Sequence, residues 1–199
     1  LNATHFSLTP KDSAARSALG LGIAAEVKII SAFFENEEGF TIHDAFYLDL
    51  FFGQLYNPRE RFIRGSNEKE QKWALAGESG YLAMAGYRND KWGVLGGFDF
   101  RYKLAMVGDV GTGIVGTSVL LRGEYNFSNE NERRLVTTFW LGNYKSFRAE
   151  LSLGQDGEYW IFGQYEYFKA NGEDLFYGIE KTEMDFNQFT IGIKRGFLP

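Results

Sequence analysis

The chain has 199 residues, no cysteine, three prolines, 24 glycines, 17% aromatic residues and a formal net charge of −5. The absent cysteines remove disulfides, thiolate zinc sites and cysteine nucleophiles. The acidic balance argues against nucleic acid as a partner, because no basic stripe is present to neutralise phosphates. The length suits one domain, and aromatic and glycine richness with few prolines favours many strands joined by tight turns. No apolar run is long enough for a transmembrane helix.

At the start, Thr9-Pro10-Lys11-Asp12 places a hydroxyl at an N-cap and proline at the first helical position. This allows a short helix over Ser13–Leu19, and residues 1–19 are expected to be either that helix or an irregular leader that precedes a barrel of residues 20–197. From Gly20 onward the pattern is strand-like almost throughout. Leu21, Ile23, Ala25, Val27 and Ile29 alternate with Gly22, Ala24, Glu26 and Lys28. After the acidic turn Glu35–Glu38 comes Phe40–Gln54, with Phe46, Leu48, Leu50 and Phe52 on one face. Tyr56–Gln71 is polar and aperiodic and reads as the one long loop; Lys72–Tyr87 reads as a further strand.

The segment Lys91–Val107 is the most informative. Trp92, Val94, Phe98, Phe100, Tyr102, Leu104 and Met106 share one face; Gly93, Leu95, Gly97, Asp99, Arg101, Lys103 and Ala105 share the other. A period of two over this length predicts a strand longer than globular proteins commonly use, with one uncharged aromatic face and one face of mixed charge. Such a strand suits a barrel wall between lipid and lumen. Gly111-Thr112-Gly113-Ile114-Val115-Gly116 matches the form of a dinucleotide loop, but it precedes a strand and opens no helix, so a turn and strand start are expected. The strand after it carries Arg122 and Glu124 on its polar side. Arg134–Gly142 and Phe147–Gly154 form a hairpin, the second strand placing Arg148 and Glu150 opposite Phe147, Ala149 and Leu151. Asp156-Gly157 and Asn171-Gly172 mark hairpin turns before Glu158–Lys169 and Leu175–Lys181, and Phe186–Phe197 closes the chain.

The expectation is therefore an all-β, closed antiparallel up-and-down barrel of about ten strands, within a range of eight to twelve. With ten strands counted in this way, the loop at Tyr56–Gln71 falls on the same side as the termini, where membrane barrels keep turns short. An extra strand near Thr4–Thr9, or one hairpin fewer or more than counted, would restore the usual arrangement.

The closing segment Phe189-Thr190-Ile191-Gly192-Ile193-Lys194-Arg195-Gly196-Phe197 resembles the last strand of bacterial outer-membrane β-barrel proteins, which end in phenylalanine after alternating apolar residues. Phe189, Ile191, Ile193 and Phe197 fit; Arg195 departs at one alternate position, and Leu198 and Pro199 follow the phenylalanine. The resemblance is to the class as a whole. It implies an address in a Gram-negative outer membrane, with lipid and, for a binding role, another envelope protein as partners.

On that reading Trp92, Val94, Phe98, Phe100, Tyr102, Leu104, Phe189, Ile191 and Ile193 face lipid. Asp99, Arg101, Lys103, Arg122, Glu124, Arg148 and Glu150 form a charged lumen network, which Glu26, Lys28, Glu166 and Lys194 can join. Buried charges must pair, so the expected lumen is salt-bridged and largely occluded, and a wide porin channel is not expected. The expected role is structural or partner-binding. A narrow channel for ions or small solutes is one alternative; a soluble lipocalin-like barrel, with the aromatic faces lining a cavity for an apolar ligand, is another. Enzymatic signals are thin. The histidines are His5 and His43, Asp44 and Asp49 flank the second on opposite and same faces, and no GxSxG elbow occurs. No metal or cofactor is expected.

Overall fold

The computed structural model describes residues 1–10, 16–29, 39–56, 73–107, 110–128, 133–153, 159–170 and 184–195. Ten strands run in chain order: β1 Asn2–Pro10, β2 Arg16–Val27, β3 Gly39–Tyr56, β4 Trp73–Arg88, β5 Trp92–Val107, β6 Val110–Ser128, β7 Arg133–Gly142, β8 Tyr144–Leu153, β9 Tyr159–Ala170 and β10 Met184–Arg195. Each pairs antiparallel with its neighbours in sequence, and β1 pairs with β10 to close the barrel. Followed once round the wall, the register advances by about 12 residues, a stagger for which strands tilt by roughly 40°.

The leader is the main correction to the sequence reading. Residues Asn2–Pro10 are strand β1, and Arg16–Leu19 begin β2; no described residue is helical. Local capping chemistry loses here to closure. Without β1, the edges of β2 and β10 would each present a row of unpaired backbone groups, whereas β1 pairs with both. Pro10 sits at the last position of β1, where a missing N–H costs least. The extra strand also changes the parity of the connections. Tyr56 and Trp73, which flank residues 57–72, now lie at the end away from the termini, here called the loop end. The strand expected at Leu175–Lys181, the terminal Phe197 and the turns at Glu35–Glu38, Asn129–Glu132, Asp156-Gly157 and Asn171-Gly172 lie outside the described residues.

The other differences are boundaries. The dinucleotide-like glycines lie within β6, which starts at Val110. At the terminal end, β4 and β5 are joined by a turn in which the Asn89 side-chain oxygen accepts from the amides of Lys91 (2.9 Å) and Trp92 (2.8 Å). β3 starts at Gly39 with φ 113°, a conformation that L side chains rarely adopt.

The alternation sends large apolar side chains outward and most charged ones inward. Outward positions carry exposed large apolar residues on every strand from β2 to β10, among them Leu21, Phe52, Tyr87, Phe98, Val119, Leu141, Phe147, Ile161 and Ile191. Inward positions carry buried charged and polar groups together with small or aromatic residues. Apolar groups line the interior toward both ends: at the loop end Ala18, Phe51, Ala74, Ala76 and Ala105 lie with Phe168 and Phe186, the last two stacked at 4.4 Å, and toward the terminal end Met84, Leu95, Val136 and Phe162 are buried.

Candidate functional site in the ion-paired lumen

Strand β5 supplies the centre of the site. Its strict alternation turns Asp99, Arg101 and Lys103 inward in succession, and all three are buried. Register then brings them their partners. Glu78 of β4 lies directly across from Lys103, and Gly80 lies across from both Arg101 and Tyr47 of β3. Gly80 is needed there: a Cβ at that position would sit 2.4 Å from the Tyr47 hydroxyl and 2.5 Å from the Phe100 carbonyl. The missing side chain lets the Tyr47 ring lie across the wall and deliver its hydroxyl to the middle of the lumen.

Arg101 ties the section together. Its Nε donates to the Tyr47 hydroxyl (2.9 Å), Nη1 reaches Glu78 (2.9 Å) and Glu166 of β9 (3.0 Å), and Nη2 donates to Asp99 (3.0 Å). The guanidinium lies over the Tyr144 ring at 4.1 Å, with the Trp140 ring at 5.8 Å. Lys103 Nζ bonds Glu78 (3.0 Å) and Glu166 (2.7 Å) and sits 4.7 Å above the Phe186 ring. Asp99 accepts from the Tyr47 hydroxyl (2.9 Å), from Trp140 Nε1 (2.9 Å), from Arg101 and from the Tyr144 hydroxyl. Six strands (β3, β4, β5, β7, β8 and β9) are thereby joined across the lumen through one aspartate, one arginine and one lysine. A guanidinium with this many ionised and aromatic partners is a positioned cross-link, and charge-assisted bonds of this kind are the stronger ones.

A second group of charges lies toward the terminal end. Glu124 receives Arg88 at 2.9 Å and Arg122 at 2.8 Å, with Arg134 at 3.9 Å. Glu150 receives Arg148 at 2.5 Å and Lys194 at 2.9 Å. The cations also lie over aromatic rings, Arg148 over Phe162 at 4.3 Å and Lys194 over Trp160 at 5.4 Å. His43 stands between these groups, 3.8 Å from Glu26 and 3.4 Å from Arg122. Along β10, β1 and β3 a polar chain runs from Gln188 to Thr190 (3.1 Å), Thr4 (3.1 Å), Asn2 (3.5 Å) and Asp49 (3.2 Å). Beside it a cavity with room for about one water molecule is lined by Thr4, Asp49, Phe51, Ala76, Glu78, Lys103 and Gln188.

The inward charges balance. Glu26, Asp49, Glu78, Asp99, Glu124, Glu150 and Glu166 face Arg88, Arg101, Lys103, Arg122, Arg134, Arg148 and Lys194 among the described residues. All seven network positions named from the sequence (Asp99, Arg101, Lys103, Arg122, Glu124, Arg148 and Glu150) point into the barrel, but they divide between two groups. The first three share the centre and the other four lie toward the terminal end. Lys28, considered as a further member, lies beyond the end of β2 and is exposed.

Glu78, Tyr47, Trp140 and Tyr144 were missed. Glu78 sits among Ala74, Ala76, Gly80, Leu82 and Met84, a mixture that hides its face, and inward tyrosine and tryptophan look like wall residues until the hydroxyl and indole donors find Asp99. The exterior set (Trp92, Val94, Phe98, Phe100, Phe189, Ile191 and Ile193) is exposed on the outer surface, and Tyr102 and Leu104 are half-buried there. The faces that a lipocalin-like barrel would turn to a cavity are thus outside. The site defines a class, a closed ten-strand barrel whose lumen is crossed by buried ion pairs. No protein-family model matches the chain, and no curated protein matches it.

Proposed function

We propose that this chain is a small integral β-barrel of a Gram-negative outer membrane, with lipid around it and a lumen closed by its ion pairs. Its role is structural or partner-binding, toward another envelope component, and is not enzymatic. One observation carries the reading: from β2 to β10, large apolar side chains occupy the outward positions while balanced charges occupy the inward ones. An apolar surface that runs over nine strands, from β2 to β10, far exceeds the patches that monomers in water expose, and a hydrocarbon surround removes that cost. Strands of 16–19 residues in β3–β6 are also longer than the 9–11 needed to cross a bilayer.

A conducting lumen is the weaker reading, because six strands meet through Arg101 at the centre and an apolar layer lies beyond it. The test is detergent dependence. The purified chain is expected to be monodisperse and β-rich only in micelles or vesicles, and to run on gels as a compact band unless heated. A clean folded monomer in plain buffer refutes the proposal.

A further inference from the structure

The charges on the outer wall are not spread evenly. Among the described residues, the outward positions of β7–β10 carry four exposed cations, Arg133, Lys145, Lys169 and Arg195, and one carboxylate, Asp185. The outward positions of β2–β6 carry only Asp44, which is 1% exposed and accepts from the Tyr81 hydroxyl at 3.0 Å. Register groups the two lysines. Lys145 of β8 lies directly across from Tyr167 of β9, and Lys169 is the next residue on the same face of β9. Diagonal neighbours of this kind are about 7–8 Å apart, so two ammonium groups on flexible stems can share one phosphate. Beside them the Tyr167 hydroxyl donates to Asp185 (3.3 Å) and the Tyr165 hydroxyl to Asn187 (2.8 Å), which makes this the polar border of the belt.

Below that border the apolar belt holds a furrow. Gly123, Thr137, Ala149 and Gly163 are paired in succession across β6–β9, and all four face outward. Phe139, Phe147 and Tyr165 form the wall of the furrow toward the loop end, and Leu135, Leu151 and Ile161 form the wall toward the terminal end. The first wall is firm, with the Phe139 and Phe147 rings 4.9 Å apart. The floor crosses four strands, which at the usual spacing makes it about 14 Å long. A Cβ added to Gly163 would meet no atom within 4 Å, so the floor is open there.

Given the membrane location proposed above, on which this inference rests, we infer that the β7–β10 side of the barrel is a docking face for an anionic phospholipid, its phosphate between Lys145 and Lys169 and an acyl chain in the furrow. Charge complementarity selects the occupant. Four cations against one carboxylate leave this face with an excess of three positive charges, while the outward side of β2–β6 offers no exposed charge among the described residues. A lipid with a net negative headgroup is therefore drawn to the first side and gains nothing on the second. Phosphatidylcholine brings a quaternary cation to the same lysines and is disfavoured. Lysine stems lie along apolar surface while their ammonium groups reach the headgroup level, which suits both residues to the edge of the belt. A chain that hangs from a phosphate at Lys145 passes Phe147 and enters the furrow, where small floor residues leave the volume that large side chains fill elsewhere.

The experiment folds the full chain in mixed micelles holding equal amounts of phosphatidylglycerol and phosphatidylcholine with the same acyl chains. Native mass spectrometry then counts the lipids that stay on the barrel, and heat-dependent gel mobility scores folding separately. Phosphatidylglycerol is expected to be retained several-fold over phosphatidylcholine. The Lys145→Gln/Lys169→Gln variant should lose most of this preference. Lys91→Gln, which removes an exposed lysine from the β4–β5 turn at the other end, should keep it. Gly163→Leu, whose side chain has room on the outside, should fold and retain several-fold less lipid. Equal retention of the two lipids by the folded barrel overturns the inference while leaving the membrane reading standing. So does a preference that survives in the double lysine variant or falls equally in Lys91→Gln, and so does unchanged retention in Gly163→Leu. A chain that folds as a monomer without detergent overturns the membrane reading and this inference with it. The comparison of lipids uses the unaltered chain, so the test survives a variant that fails to fold.

Discussion

Replacing Arg101 by methionine keeps most of the side-chain volume and removes the charge at the centre of the lumen. The structure sets the consequence. Arg101 is 4% exposed, and it is the shared cation of Asp99, Glu78 and Glu166, each within 3.0 Å. Without it Lys103 is the cation left to Glu78 and Glu166, and Asp99 keeps the neutral donors Tyr47, Trp140 and Tyr144. Breaking a buried pair by removing one partner costs about 3–5 kcal/mol, because the remaining charge stays buried and uncompensated. Here three carboxylates are affected, so the upper part of that range is expected. Equilibrium unfolding in urea, followed by tryptophan emission in micelles or vesicles, reads the loss as a lowered midpoint. Glu166→Gln placed in the Arg101→Met background removes one of the stranded charges, and should recover about 1–3 kcal/mol relative to simple addition of the single effects. A loss under about 1 kcal/mol for Arg101→Met, or strict additivity in the pair, would refute the view that Arg101 is a cross-link that neutralises its neighbours.

Three further outcomes follow from the same geometry. Gly80→Ala should destabilise by about 1–3 kcal/mol in the same unfolding assay, since its Cβ meets both the Tyr47 hydroxyl and the Phe100 carbonyl; Tyr47→Phe cannot rescue it fully, because the second clash is with backbone. Lys194→Met should cost less than about 1 kcal/mol, because the lysine side chain is 34% exposed and Arg148 still neutralises Glu150; a loss comparable to that of Arg101→Met would show that the two groups of charges are not as distinct as their distances imply. On the exterior, Phe98→Arg should cost about 2–4 kcal/mol for folding into vesicles if that face meets hydrocarbon, and close to nothing if it meets water, so the folding yield of this one variant separates the two surroundings.

What the sequence made legible was the alternation, because a period of two needs no tertiary information. Lys91–Val107 declared both its faces, and the charged set on β5, β6 and β8 could be named from parity alone. What it hid depends on closure. Asn2–Pro10 has no aromatic face and carries a helix-start signature at Thr9 and Pro10, so local chemistry pointed away from a strand that exists because β2 and β10 need a neighbour. The division of the charges into two groups was hidden too, since parity gives a face and no height along the barrel. Height comes from the register, and the register of Glu78 with Lys103, or the reach of Glu166 to both Arg101 and Lys103, is a property of the assembled wall.

This asymmetry also says where the barrel stores its register. A slip of one residue between two strands would turn charges outward and is prohibited by either face. A slip of two residues is different, because it preserves the faces. The exterior would hardly register it, since one outward apolar residue replaces another on most strands. The interior would. Moving β5 by two residues against β4 takes Lys103 from Glu78 to Ala76 or Gly80, and moving β4 against β3 takes Gly80 from beneath the Tyr47 ring. On β9 and β10 the same holds for Phe162, whose ring lies over Gly192 at a distance that a Cβ could not tolerate (2.5 Å). Replacing a buried ion pair by well-packed apolar residues is often neutral or stabilising, so pairs are a weak means of holding a core together. They are a better means of choosing among registers that the apolar belt leaves almost degenerate. The lumen charges then have a structural reason to exist before any solute or partner is considered.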